Sequence, residues 1–539
     1  MVAPYVANPA DWPHQSYAVT EAVNQSNEGW RRFCITSPTG GGKSRIIQRL
    51  CEHWEKHGKT SVVMSNRRLL TEQLLQGLHR SGIDVGCRAA GYESWTNPSA
   101  LAQVISAQTE SSRVFNRREK HGIDAQLHPG DLLIVDEAHI QKGAEAQKII
   151  NEYASLHGAF VVGISATPLG IGGIYTDGLI VAGNNTQLRE CGALVWANRY
   201  EPAIMDLGKI YKKKTGVISQ SVADKAARSI WTQVVVANIL GSWKNLNPDG
   251  RPSIGMAPGV KESLGLAQEY WNHGINAAHI DSGGIYVNGS YKKTTEQTDR
   301  DELFEMLKDG TVKQIWNRFV LREGIDLPYL YCLQLATPIA SLTAYLQTCG
   351  RVLRSHPSKK LARIIDHAGN IHNHGNPNHD RDADWRQYFF EEDETKITKD
   401  RRERQQNPNN KEKSEITCPN CGAMRPTGPK CLDPRCGFEH AQSVRKIIQE
   451  DGTLRLSKGD VYKKRRTKMT STTEKQWESV YWRCKKSSMT FSQARGLFYK
   501  QHGYHPPDGL PNMPINSGDW SRQISAVSYA DLHKRKVGE

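Results

Sequence analysis

The chain has 539 residues, with 71 Lys+Arg against 56 Asp+Glu, a formal net charge of +15 and 38% hydrophobic residues. At about 150 residues per domain that is three to four domains, with ample chain for sizeable cores. No run approaches the roughly 18 apolar residues of a membrane span, and the opening MVAPYVANPADWPHQS has neither the basic nor the apolar region of a secretion signal.

The charge is unevenly placed. Residues 401–539 hold 27 Lys+Arg and 14 Asp+Glu, whereas residues 1–400 hold 44 and 42. A near-neutral body with a basic tail region suggests a polyanionic partner, nucleic acid first; a solvated tail that sets solubility is the alternative. Of 11 Cys, seven are scattered and four cluster between 418 and 436. That is the pattern of reduced intracellular thiols plus a metal site, not of a disulfide framework.

In chain order, short apolar runs alternate with helical stretches. The first set of predicted strands is Phe33–Thr36, Ser61–Ser65, Gln103–Ser106, Leu132–Val135 and Phe160–Ile164. After a basic stretch near Lys212–Gly216 a second set repeats the design at Ser253–Met256, Ala277–Ile280, Lys313–Trp316, Tyr331–Leu335 and Arg363–Ile365. Strands spaced by helices imply βαβ units and parallel sheets, with chemistry at the carboxyl ends of the strands. The expected architecture is therefore α/β: a first lobe over 1–185, a connector over 186–225 and a second lobe over 226–392. A charged linker over 393–414, a cysteine module over 415–440 and a basic, mainly helical region over 441–539 follow.

Residues 37–44, Ser-Pro-Thr-Gly-Gly-Gly-Lys-Ser, lie between the strand FCIT and the helical IIQRLCEHWEKH. In such a loop Pro38, Thr39, Gly40, Gly41 and Gly42 let backbone N–H groups wrap a phosphate chain, and the helix N-terminus favours its charge. Lys43 would reach the β/γ-phosphates of ATP, and Ser44 would ligate Mg²⁺. The acidic partner closes the strand of Leu132–Val135: Asp136 would hold Mg²⁺ and Glu137 would orient or deprotonate the attacking water.

Cys418, Cys421, Cys431 and Cys436 form two knuckles separated by nine residues. Four thiolates suit tetrahedral Zn²⁺, and a site with four protein ligands keeps no open position, so the role expected for zinc is structural. Gly422 and Gly437 follow the second cysteine of each knuckle and permit left-handed turns. The tail adds Lys463, Lys464, Arg465, Arg466 and Lys468, then Trp477, Tyr481, Trp482, Phe491, Phe498 and Tyr499. Basic groups among aromatics suit phosphate contact and base stacking, although a small aromatic core with charges outside is the expectation for most of the rings.

The phosphate loop followed by Asp136-Glu137-Ala138-His139 resembles the superfamily 2 helicases of the DEAH-box type. That resemblance implies two RecA-like lobes and roles for further residues. Gln15 matches the glutamine that reads adenine. Arg67, in Arg67-Arg68-Leu69-Leu70-Thr71-Glu72-Gln73, matches a backbone-contacting arginine. Gln108 and Thr109 match a second strand-contacting element, and Ser165-Ala166-Thr167-Pro168 the element that couples hydrolysis to lobe movement. Arg322 to Pro328 resembles motif V, with Gly324 permitting close approach and Asp326 near the ribose or relaying to arginines; Gln347 to Arg354 resembles motif VI. Arg351 and Arg354, three apart on an expected helix, would aim two guanidinium groups at the γ-phosphate. Two positions depart from the pattern: Met256 replaces an aromatic residue, and Asn317-Arg318-Phe319 replaces a threonine-containing start, leaving Arg318 as the expected nucleic-acid contact there.

Asp366-His367-Ala368-Gly369-Asn370, then His374-Gly375, then the Cys₄ module narrows the resemblance to RadD-type bacterial and phage helicases of the SSL2/type III restriction group. This implies an ATP-, Mg²⁺- and Zn²⁺-using DNA helicase of DNA repair, recombination or phage replication, in the cytoplasm of a bacterial or phage-infected cell. Single-stranded, forked or branched DNA, single-strand binding protein and a recombinase are the implied partners, and a membrane is not. An RNA helicase, or an adaptor or restriction subunit with a vestigial ATPase, remains open. His367, His372, His374 and His379 are expected to be structural rather than metal ligands.

Overall fold

The computed structural model describes residues 2–439 apart from 66–67, 123–125, 202–218, 230–232, 323–324, 394–395, 398–399, 401–414, 419, 427–429 and 434–435, and beyond them 447–450, 453–456, 477, 480, 497, 498 and 501. The chain separates into two compact units, Met1–Glu439 and His440–Glu539. Among the described residues no helix is long and apolar enough to cross a membrane.

The first unit is built on two sheets. Strands β1 (Arg32–Thr36), β2 (Ser61–Ser65), β3 (Val85–Arg88), β4 (Ala102–Ser106), β5 (Leu132–Val135), β6 (Phe160–Ser165) and β7 (Gly178–Val181) form the first, in the order β3-β4-β2-β5-β6-β1-β7. Every pairing is parallel. Its middle strands β2, β5 and β6 are buried along nearly their whole length, which is why they read as unbroken apolar runs. Because β5, β6 and β1 are neighbours, the loops leaving their carboxyl ends lie side by side, and these loops carry Asp136–Glu137, Ser165–Pro168 and the glycine-rich 37–44 stretch.

The second sheet runs β12-β11-β10-β13-β9-β14-β15-β8-β17-β16, from β8 (Trp196–Tyr200), β9 (Ser253–Met256), β10 (Ala277–Ile280), β11 (Gly284–Val287), β12 (Ser290–Lys293), β13 (Gln314–Asn317), β14 (Cys332–Leu335), β15 (Leu361–Asp366), β16 (Glu415–Thr417) and β17 (Met424–Pro426). The six central strands are parallel. A hairpin turning at Asn288-Gly289, both with positive φ, extends one edge antiparallel.

Two features differ from the sequence expectation. The stretch read as a connector contains β8, whose WANRY carries a buried Asn198 and Arg199 that hide its strand character. The cysteine module is no free appendage: β16 and β17 join the second sheet at β8, where Met424 pairs with Arg199. Arg363 of β15 donates to Asp433 of the module and to the carbonyl of Leu246. Both partners of that ion pair are almost fully buried.

The His- and Asn-rich stretch after β15 is a structural strap. Asp366 accepts from the backbone of Ala368 and Ile371. Asn370 and His374 hold the Ile339 backbone, and Asn378 pairs with both backbone groups of Ala197 as a strand would. Asp380 accepts from the backbone N–H and hydroxyl of Thr186 at the start of the helix Asn185–Glu190. Beyond the helix Asp382–Tyr388, Phe389 is fully buried in the core of the first lobe beside Ile171 and Tyr175, and its carbonyl accepts from Ile171 and Gly172. Buried aromatic surface of this size contributes about 2–3 kcal/mol to such an anchor. Among the described residues the one group of three or more clustered metal-type ligands is the four cysteines.

In the second unit, the described residues include a hairpin of β18 (Ile447–Glu450) and β19 (Thr453–Leu456), which the helical expectation did not foresee. Trp477 and Phe498 are buried with ring centroids 5.6 Å apart, as an aromatic core requires. The basic cluster 463–468 and Tyr481, Trp482, Phe491 and Tyr499 lie outside the described residues.

Candidate functional site

The glycine-rich loop leaves β1 and enters the helix Lys43–Glu55. Gly40 and Gly42 have φ of 92° and 71°, a backbone that side chains rarely adopt. Their surroundings require glycine as well: a Cβ on Gly42 would lie 2.3 Å from Gln15 Nε2, and one on Gly41 2.4 Å from Ser37 Oγ. Lys43 opens the helix half-buried, with Ser44 exposed beside it.

Gln15 lies against this loop. Its Nε2 donates to the carbonyls of Gly41 and Gly42 at 3.3 and 3.4 Å, and its Oε1 accepts from Trp12 N at 3.0 Å. His14 adds a 2.7 Å contact to Gly41 O. The amide expected at an adenine edge thus also braces the cradle, as does its neighbour His14, which no motif flagged.

Asp136 is buried at the end of β5, next to Lys43 and Glu137. Burial pushes its carboxyl well up from the usual range, the Glu137 carboxylate adds to this, and the Lys43 ammonium opposes it. A buried, under-compensated carboxyl facing an ammonium is the electrostatics of a place for a cation. Asp136 with Ser44 would hold Mg²⁺ there, and the ion would supply charge neutralisation to bound phosphates. Glu137 has a positive φ of 47°, and its buried Oε2 makes no hydrogen bond but lies 3.5 Å from His139 Nδ1. A positive φ is strained for a residue with a side chain, so the turn after β5 holds this carboxylate beside Asp136 at a cost in backbone energy.

His139 extends the site across to the second lobe. Its Nδ1 lies 2.9 Å from Ser165 Oγ, and its Nε2 3.1 Å from Gln347 Nε2. With the Gln347 amide donating, His139 accepts at Nε2 and carries its proton on Nδ1. Ser165 Oγ accepts in turn from Thr167 N at 3.0 Å. A chain of side chains therefore joins the acidic loop, the Ser165–Pro168 loop and the arginine helix; the spacing of the motifs alone did not announce it.

The two lobes touch at the cradle. A Cβ on Gly350 would meet Thr39 Cγ2 at 2.4 Å, and one on Gly40 would meet Leu194 Cδ2 at 2.8 Å and Arg354 Cγ at 3.1 Å. The helix Leu342–Leu353 carries Arg351, but Arg354 is its C-cap with extended ψ of 139°. The expectation of both arginines on one helical face is corrected here: Arg354 bridges to Leu194, and that pairing draws it out of the helix. Their guanidinium groups nevertheless converge, since both donate to Ile325 O, at 2.6 and 3.0 Å. Arg351 also donates to Arg322 O, and Arg354 pairs with the exposed Asp326, which favours the relay role for Asp326 over a ribose contact.

The residues expected at nucleic acid are more dispersed. Gln108 is exposed on a short helix after β4, and Thr109 accepts from Ala90 N. Arg318 is paired with Asp224 and lies 4.0 Å over the Phe319 ring. Arg67 and Gly324 lie outside the described residues. Met256 is fully buried in the second lobe's core, so it makes no surface contact.

The Sγ atoms of Cys418, Cys421, Cys431 and Cys436 all lie within 4.8 Å of one another. The pairs Cys418–Cys436 and Cys421–Cys431 are each 3.6 Å apart, near the roughly 3.8 Å edge of a tetrahedron with Zn–S bonds of about 2.3 Å. Gly422 and Gly437 take the left-handed turns expected of them. Four soft donors at tetrahedral spacing fit structural zinc.

Comparison with known proteins agrees with this geometry. The family described as type III restriction enzyme, res subunit, matches residues 10–170. A 51.5 kDa protein of Lactococcus phage (isolate 7-9) is 26% identical over 474 residues, covering 86% of this chain and 89% of the relative. The chain is thus similar to the type III restriction enzyme res subunit over its first third and to the phage protein over most of its length. The putative ATP-dependent helicase IRC3 of Saccharomyces cerevisiae is 25% identical over 374 residues, 66% of this chain and 51% of that protein. This chain thus spans about half the length of this yeast relative. Among solved structures, a fragment of a putative HsdR subunit of a type I restriction enzyme from Vibrio vulnificus shares the fold, with a TM-score of 0.50 at 17% identity over 69% of this chain and 67% of that one.

Proposed function

We propose that this protein is an ATP- and Mg²⁺-dependent DNA helicase or translocase. The observation that carries the reading is the closure of two lobes on one phosphate cradle, with Gly350 against Thr39 and Arg354 against Gly40. In this reading Gly40, Gly41, Gly42 and Lys43 hold the triphosphate, and Ser44 and Asp136 hold the magnesium. Glu137 takes the proton of the attacking water, and its buried Oε2, which makes no hydrogen bond and lies 3.5 Å from His139 Nδ1, supports that role. Arg351 and Arg354 leave the carbonyl of Ile325 and turn their N–H groups to charge developing on the γ-phosphate. Gln15 adds the adenine contact once an N–H of its amide leaves the carbonyls of Gly41 and Gly42.

The Ser165–His139–Gln347 chain supports a link between hydrolysis and lobe movement, since a change at the acidic loop pulls on both lobes at once. Alternate grip and release of the strand by Arg67, Gln108, Thr109 and Arg318 gives stepping that is largely independent of sequence. The choice of DNA rests on the restriction-enzyme likeness of residues 10–170. Roles in repair, recombination or phage replication, with single-strand binding protein or a recombinase as partner, rest on the RadD-type resemblance, and the zinc module's role is structural.

The test is ATP hydrolysis by the full chain with single-stranded, forked and branched DNA and with matched RNA, beside Lys43→Ala. Stimulation by DNA and its loss in K43A are expected. Stimulation by RNA alone would reverse the choice of polymer through a need for the 2′-hydroxyl. Activities that survive both K43A and Glu137→Gln would make the chain an adaptor.

A further inference from the structure

Arg318 is held in a way that the nucleic-acid reading does not explain. Its guanidinium pairs with Asp224, a residue of the helix Gln220–Ser229 that belongs to none of the recognised motifs. It lies over Phe319, whose φ of 60° is strained for an aromatic residue. One of its amino groups, Nη1, is buried without a hydrogen-bond partner. Arg322 stands 5.5 Å over the same ring, and the charge of Arg228 acts on Arg318 from the connector helix. Arg228 also reaches the start of the helix Val260–Asn272, where its Nη1 lies 3.5 Å from the position a Cβ on Gly259 would take, beside Glu262. Three guanidinium groups and two carboxylates gather here, with one buried N–H unanswered.

Asp224 does a second thing. It is 4% exposed, and its Oδ1 accepts from Thr337 Oγ1 at 3.2 Å and from Gln220 Nε2 at 3.0 Å. Gln220 in turn donates to Pro338 O at 2.7 Å and accepts from Ala340 N at 2.8 Å. The Thr337–Ala340 loop leads directly to Ser341, the N-cap of the helix that carries Arg351 and ends at Arg354. One carboxylate therefore ties the arginine facing the strand to the loop that sets the arginines facing the nucleotide.

We propose that Asp224 stands in for a backbone phosphate on Arg318, and that a phosphate of single-stranded nucleic acid takes its place and resets the loop ahead of the arginine helix. The proposal rests on the helicase reading above and deepens it. A phosphodiester presents two anionic oxygens to a guanidinium, so it can replace the carboxylate and also satisfy the orphaned Nη1. Released from Arg318, Asp224 keeps its bonds to Thr337 and Gln220 and moves with them. Arg228 and Arg322 add the charge that lets a phosphate compete with an internal carboxylate. Asp224 is thus a positioning residue through which strand binding acts on hydrolysis.

The experiment uses the full chain, a labelled (dT)20 strand for binding, and ATP turnover with and without that strand. Asp224→Asn is close to isosteric and removes the competing charge. It is expected to bind (dT)20 at least about fivefold more tightly and to raise turnover without DNA by a similar factor, the lower end for linked sites. Thr337→Val cuts the tie to the loop, so it is expected to bind (dT)20 as the unaltered chain does while losing stimulation about fivefold. Arg228→Gln is expected to weaken binding and lower the salt slope by about 0.7, one phosphate on a single strand. Weaker or unchanged binding by D224N, with an unchanged stimulation ratio, would overturn the proposal, since Asp224 would then only orient Arg318. Should D224N melt well below the unaltered chain, T337V decides, and undiminished stimulation in T337V overturns it. Stimulation by inorganic phosphate alone would also overturn it, by making free phosphate the ligand. An unaltered chain that neither binds (dT)20 or (rU)20 nor responds to them would remove the helicase reading itself, a distinct outcome.

Discussion

Gly350→Ala is the sharpest test of the closed cleft. The added Cβ would lie 2.4 Å from Thr39 Cγ2 and 2.5 Å from Thr39 Cβ. Carbon atoms settle at about 3.5–4.0 Å, so the two lobes must part by roughly 1 Å at this point. Thr39 cannot swing away, because its Cβ is fixed to the backbone of the cradle. Overpacking of this kind costs about 1–3 kcal/mol locally, which the core of either lobe can absorb. The effect on chemistry is larger, since misplacing reacting groups by about 1 Å lowers rates about 100-fold. The expected outcome is a folded protein whose ATP turnover at saturating (dT)20 falls about 100-fold, with KM for ATP changing far less. Thr39→Gly removes both clashing atoms, so the T39G/G350A double variant should recover about tenfold over G350A. Wild-type turnover by G350A, or no recovery in the double variant when T39G alone is active, would refute the contact as the geometry of the working state.

Three further outcomes follow from buried groups. Asp433→Ala strands the Arg363 guanidinium among Tyr200 and Tyr331, and urea unfolding should show a loss of about 3–5 kcal/mol, as for other broken buried pairs; a loss below about 1 kcal/mol would mean that the cysteine module does not brace the second sheet. Lys359 is buried, donates to the carbonyls of Leu330 and Val352, and has its pKa lowered by that burial to about 7. A lysine depressed in the folded state contributes stability that is present above its unfolded pKa and lost as pH falls toward 7, so the protein should be about 2 kcal/mol less stable at pH 7 than at pH 9. Lys359→Met should flatten that slope, and an unchanged slope in K359M would assign the pH dependence elsewhere. Phe389→Ala empties a fully buried site in the first lobe and should cost about 3–5 kcal/mol by urea unfolding. Fluorescent labels on the two lobes should also report a wider spread of separations in F389A, and an unaltered spread would count against the strap.

Strand positions were legible in the chain because they depend on local order. β2, β5, β9 and β10 stand at the predicted residues, since a short apolar run bounded by polar turns has few other ways to bury itself. Gly-Gly-Gly-Lys-Ser, Asp136-Glu137 and the cysteine knuckles stood out for a related reason: the phosphate, magnesium and zinc proposed for them each demand particular atoms at short spacing. β8 was missed because it buries Asn198 and Arg199, polar residues that break the apolar run by which a central strand is recognised. The hairpin of β11 and β12 was missed because β12 is wholly exposed and has no apolar face to betray it.

What the sequence determined alone is the set of groups available at each lobe: a glycine-rich loop closed by Lys43 on one, Arg351 and Arg354 on the other, and four thiolates beyond. What only the tertiary structure decided is which of these groups meet. Gly350 against Thr39, Gln347 against His139, Asp224 beneath Arg318 and Phe389 in the first lobe's core join residues from 94 to more than 300 positions apart. Such contacts leave no periodicity or spacing in the chain, because they arise from the packing of finished elements rather than from the propensity of any one of them.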